Sequence, residues 1–164
     1  MAHVSGHYTV ALWGGVGIVH WMRQADAPAM THVRRCLRKL VDAQPSGVSF
    51  IHVVDEGAGL PSPEARSELS AMMGSFAEAT VCVAVVLRGS GFWASAMQSL
   101  LTGLRLFAPP RGWTLRFASS TSDLGSWLPG LHVERTHQYF NARELELAIA
   151  DVLSTGARAA SLTG

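Results

Sequence analysis

Three short stretches of the chain gather groups capable of chemistry: Asp55-Glu56-Gly57, Arg88-Gly89-Ser90-Gly91 and Ser119-Ser120-Thr121. Each follows an apolar or β-rich run, VSFIHVV, VCVAVVL and WTLRFA in turn. If those runs are parallel strands, the three turns share one edge of a sheet, where ligands of α/β domains gather. Carboxylates, a guanidinium, hydroxyls and helix N-terminal amides together suit a small polar or anionic ligand. Polar turns also occur at strand ends for purely structural reasons, and glycine often serves turn geometry alone. Phe92 and Trp93 follow the second turn directly, and Trp93, if exposed at the helix start, is a natural anchor for a protein interface. The candidate interaction or ligand surface is therefore Asp55, Glu56, Arg88, Ser90, Phe92 and Trp93.

No catalytic constellation accompanies these residues. Gly89-Ser90-Gly91 lacks the G-x-S-x-G spacing of a hydrolase elbow and the lysine of a phosphate loop. His52 and Asp55 are three residues apart on a predicted strand, so alternation sends them to opposite faces and spoils them as a base and its orienter. His3 with His7, and His132 with His137, lack the helical spacing and acidic companions of metal sites. Cys36 and Cys82 are the only cysteines, and the expectation is two core thiols in a reducing compartment. No catalytic residue, cofactor or metal is expected.

The elements that position the surface follow from periodicity and punctuation. Residues 1 to 6 read as a loose end. His7 to Trp13 and Val16 to Trp21 form a predicted hairpin around Gly14-Gly15. Asp26 caps a helix with Pro28 in its first turn, and Met30, Val33, Leu37, Leu40 and Val41 mark its buried face. Arg34, Arg35, Arg38 and Lys39 lie on the other side, as a solvated face. A buried strand spans Val48 to Val54. Ser62-Pro63-Glu64 starts the next helix, with Ala65, Leu69, Met72 or Met73, and Phe76 inward.

Val81 to Leu87 is a strand apolar on both faces and reads as the centre of the sheet. From Phe92 the spacing predicts a helix with Phe92, Met97, Leu100 or Leu101, and Leu104 buried. Pro109-Pro110 and Gly112 make a turn into the strand Trp113 to Ala118. A short helix, Asp123 to Leu128, is expected to stop at Pro129-Gly130, with an edge strand from His132 to Thr136. Asn141 and Glu144 have capping-box spacing for a last helix that ends at Gly156, and residues 157 to 164 should fray.

The 164 residues suit one domain, with 48% hydrophobic and only 15% charged residues. That is a large core under a thinly charged surface, leaving apolar surface for a partner. A formal charge of +1 provides no field for nucleic acid. No apolar run approaches the roughly 20 residues needed to span a bilayer, and MAHVSGHYTV does not read as a secretory leader. A cytoplasmic protein without membrane insertion is expected.

The pattern resembles the STAS fold, the domain of bacterial anti-sigma-factor antagonists, in variants with an additional strand and helix. The hairpin HYTVALWGGVGIVHW is similar to the opening strand pair of that family, and VSFIHVVD to its strand ending in aspartate. WTLRFASSTSDLGSWL and LPGLHVERTHQYFNARELELAIADVL resemble its late strand and helix and its closing Gly-Leu turn, strand and helix. The resemblance implies a single α/β domain over residues 7 to 156, with a mixed, mostly parallel sheet of 5–6 strands and about 5 helices. It implies a noncatalytic regulatory or assembly module in a bacterial-type pathway, working through a protein partner or self-association. Family members under phosphoregulation carry a serine or threonine just after the aspartate. Here Glu56-Gly57-Ala58-Gly59 follows Asp55, so that switch is not expected, and Ser90 in the next turn is the candidate substitute. The alternative is a small-molecule-binding domain or small enzyme using Asp55, Arg88 and Ser90.

Overall fold

The computed structural model describes residues 2–107 and 112–162. Six strands, β1 (Ala2–Val4), β2 (Tyr8–Trp13), β3 (Val16–Trp21), β4 (Val48–Asp55), β5 (Thr80–Arg88) and β6 (Thr114–Ala118), form one sheet in chain order. β1 and β2 pair antiparallel, as do β2 and β3, while β3 through β6 are parallel. Five helices complete the α/β domain: α1 (Ala27–Ala43), α2 (Pro63–Phe76), α3 (Gly91–Phe107), α4 (Thr121–Thr136) and α5 (Ala142–Leu162). This is the expected fold class.

The layers follow from handedness. Each crossover from β3 to β6 steps the same way along the sheet, and right-handed crossovers then put α1, α2 and α3 on one face. Leu37 of α1, Phe76 of α2 and Met97 of α3 pack there with Val10, Phe50 and Val85 of the strands. The opposite face carries Ile18, Ile51, Val53, Ala84 and Val86, covered by Leu124 and Leu128 of α4 and Leu145 and Ile149 of α5. The caps behave as their chemistry requires. Asp26 accepts from the Ala29 N–H at 2.8 Å, Ser62 from Ala65 at 3.1 Å, and Asn141 and Glu144 bond each other's backbone N–H at 2.9 Å. Of the basic residues on α1, Arg34 faces Glu68 of α2 at 3.8 Å and Arg38 lies over the Phe76 ring.

Several local expectations change. Residues 2–4, expected to be loose, extend the sheet as β1, because Ala2, His3 and Val4 find partners at Ala11, Val10 and Thr9. The short helix and edge strand expected around Pro129 are one continuous α4. Leu124, Leu128, His132 and Thr136 recur every four residues and are all buried, so one helical face continues across the proline. A proline ring crowds the carbonyl four residues back, and here that residue is Gly125. The last helix runs past Gly156 to Leu162; Gly156 is buried inside it. β5 is the fifth strand of six, between β4 and the edge strand β6, and β3 and β4 occupy the centre. Phe92, expected in the core, is 90% exposed, and Met97 alone of the predicted α3 stripe is fully buried. The turn expected at Pro109-Pro110 lies outside the described residues.

Candidate functional site

Parallel strands bring the expected edge together. Asp55 ends β4, Arg88 ends β5, and the two are register partners. The Arg88 guanidinium donates to Asp55 Oδ1 at 3.0 Å, and His20 from β3 sits 3.0 Å from Oδ2 through its Nε2. Asp55 therefore bridges three adjacent strands. Burial pushes the His20 pKa down, the Asp55 carboxylate and its hydrogen bond oppose that shift, and Arg88 adds to it. The Nδ1 of His20 is enclosed without a hydrogen-bond partner, beside buried Thr9, its register partner on β2.

The other candidates divide. Glu56 begins a 3-10 turn of residues Glu56–Ala58 and is exposed. Gly89 is required by packing: a Cβ there would stand 2.8 Å from the Glu56 Cβ and 2.8 Å from the Trp93 ring. Trp93 is thus folded back over the turn, half-buried, its indole N–H enclosed without an acceptor. Ser90 and Phe92 face solvent. In the third turn, Ser120 caps α4 through the Asp123 N–H, while the N–H and hydroxyl of Ser119 donate to Asp123 Oδ2. Those hydroxyls are engaged in holding a helix end. Asp55, Arg88 and Ser90 line neither of the two best-formed cavities.

An apolar cavity lies on the other face of the sheet, and motif reasoning did not reach it. A cavity of about 90 Å³ opens between the strands and the underside of α2 and α3, walled by Phe50, Met72, Phe76, Val85 and Met97 among others. His52 belongs to the wall. Alternation does separate it from Asp55, as expected, and sends it toward Trp21, whose indole N–H donates to His52 Nδ1 at 3.2 Å. Burial lowers the His52 pKa to about 4, so the ring is neutral at pH 7. The signal that could have marked it was a histidine inside an otherwise apolar strand. His20 had a similar signal beside Trp21, but its partner is 35 residues away.

On the side where α4 packs, His132 Nδ1 lies 2.8 Å from Ser49 Oγ. Burial depresses its pKa, and the neighbouring Gln138 side chain opposes that shift. Among the described residues no cluster of histidine, cysteine and acidic side chains could hold a metal ion, and no helix is long and apolar enough to cross a membrane.

Comparison with known proteins leaves the chain on its own: no family model, curated protein or solved structure matches it.

Proposed function

We propose that the protein is a noncatalytic, STAS-like regulatory or assembly module that docks another protein chain, a partner or a second copy, at the start of α3. One observation carries the reading: Phe92 stands 90% exposed at the tip of a strand-to-helix turn. A large aromatic in that position gains most from burial against a partner. Leu106, 79% exposed, stands at the other end of the same helix. The opening hairpin and the alternation of helices and strands support the STAS-like reading, while residues 129–136, a turn and short strand in the resemblance, belong to α4. Because no hydroxyl follows Asp55 directly, docking here is not gated by phosphate at that place.

The alternative, a small enzyme at Asp55, Arg88 and Ser90, is the weaker reading. Both Asp55 oxygens are engaged, one with His20 and one with Arg88, which ties up that carboxylate as a base and neutralises the guanidinium that an anion would need.

The test is a photo-crosslinking aromatic residue placed at position 92 in the native cell, with position 139 as control, since Tyr139 is also exposed. A discrete protein adduct from position 92 and none from 139 supports the reading. No adduct at 92, or equal adducts at both, overturns it.

A further inference from the structure

Position 52 is an expensive place for a histidine that only fills space. Its neighbours on the same face of β4 are Phe50 and Val54, and the ring is 9% exposed. The Trp21 indole donates to Nδ1, which places the proton of the neutral ring on Nε2. That N–H has no acceptor among the described residues, and the ring forms part of the cavity wall. Trp113 lies in the same wall, and its indole N–H is enclosed without an acceptor, whereas His52 Nε2 is not among the enclosed atoms. Thr80, the hydroxyl of the lining, directs its proton to the Phe76 carbonyl at 2.8 Å.

We propose that this cavity is a binding site for a small apolar molecule carrying an oxygen acceptor, with that oxygen taking the hydrogen bond from His52 Nε2. The rest of the lining is mostly carbon and sulfur, and a buried water wants about three hydrogen bonds, more than the few free polar atoms here supply. Size limits the enclosed part. An apolar cavity of about 150 Å³ accommodates benzene, so about 90 Å³ holds a group of roughly four non-hydrogen atoms. Anything longer leaves past Arg23, Gly59 and Pro61, which line the same cavity. Arg23 is exposed and makes no ion pair among the described residues, so a polar end of the molecule meets a free cation there. The roof can also give, since Met97 is the one fully buried residue among the described side chains of α3.

The site lies on the opposite face from Asp55 and does not depend on docking at Phe92. A matched pair of probes, hexan-2-one and hexane, separates hydrogen bonding from simple cavity filling. Binding is read by thermal shift and by the His52 imidazole ¹⁵N resonances. The expected result is that the ketone binds roughly five- to tenfold tighter than the alkane and moves the Nε2 resonance. In His52→Phe that preference disappears, and Met97→Trp, which fills the cavity from the roof and keeps the histidine, abolishes binding of both. Equal affinity for the two probes, a preference that survives His52→Phe, or a water contact at Nε2 with no ketone binding overturns the proposal. Met97→Trp keeps the test decisive if His52→Phe does not fold.

Discussion

His20 and Asp55 are locked together across two parallel strands, with 3.0 Å between Nε2 and Oδ2, and Arg88 holds the second carboxylate oxygen from a third strand. The carboxylate is part-exposed, so its pairs are worth less than buried ones. Replacing Asp55 by Asn removes the charge while keeping the shape. The expected loss is about 1–2 kcal/mol, read from the urea midpoint. In the same variant the His20 pKa drops further, because burial continues to lower it and the opposing carboxylate is gone. An unchanged NMR titration of His20 would show that Asp55 does not tune the ring.

Acidification should weaken the fold through its buried histidines. Folded His52 takes up a proton only near pH 4, whereas an unfolded chain charges its histidines near 6.5. Between those values the unfolded state binds more protons, so stability falls as the pH drops from about 6.5 to about 4. The residue contributes up to about 3 kcal/mol to that loss. His20 and His132, also lowered chiefly by burial, act in the same direction. Urea midpoints measured across this range should decline toward acid, and His52→Phe should flatten the curve. A midpoint as high at pH 4.5 as at pH 7 would contradict the arrangement.

Two helical glycines should respond to substitution with opposite signs. At Gly156 a Cβ would meet His20 Nδ1, Met22 Sδ and Thr9 Oγ1 at 2.9–3.0 Å. Overpacking of about 1–3 kcal/mol there exceeds any helix-propensity gain, so Gly156→Val destabilises by about 2 kcal/mol. Gly130 lies exposed in α4, and a methyl group on its Cα would have nothing within 4 Å. Gly130→Ala stabilises by about 0.5–1 kcal/mol. Thermal unfolding of both variants checks the pair, and a neutral Gly156→Val would mean that α5 does not press on β2 and β3 as described.

Local chemistry was readable where one short segment decided it. The valine-rich runs became β4 and β5, and Asp26, Ser62 and the Asn141–Glu144 box each cap the helix their spacing implied. Reading failed where a distant surface decides. Pro129 looks like a stop, yet Leu124, Leu128, His132 and Thr136 face the sheet together, and half of that stripe is polar and hides the period. Gly156 looks like a terminator until the sheet beneath it shows why a side chain would not fit. The edge site was half visible: Asp55 and Arg88 end neighbouring strands as expected, while His20 joins them only through the register of β3 on β4. The cavity at His52 needed α2 and α3 in place above it. Trp93 and Phe92 exchanged roles because Gly89 lets the tryptophan ring fold back over the turn.

Sheet order and chain order coincide from β1 to β6. During synthesis each strand therefore finds its neighbour already made, and no later strand has to insert between two earlier ones. The helices of the first face arrive between the strands they cover. The second face has no such escort: Ile18, Ile51, Val53 and Val86 stay bare until residues 121–162 have left the ribosome. A nascent chain paused before Thr121 is thus a half-roofed sheet, and its second face is covered only when α4 and α5 follow.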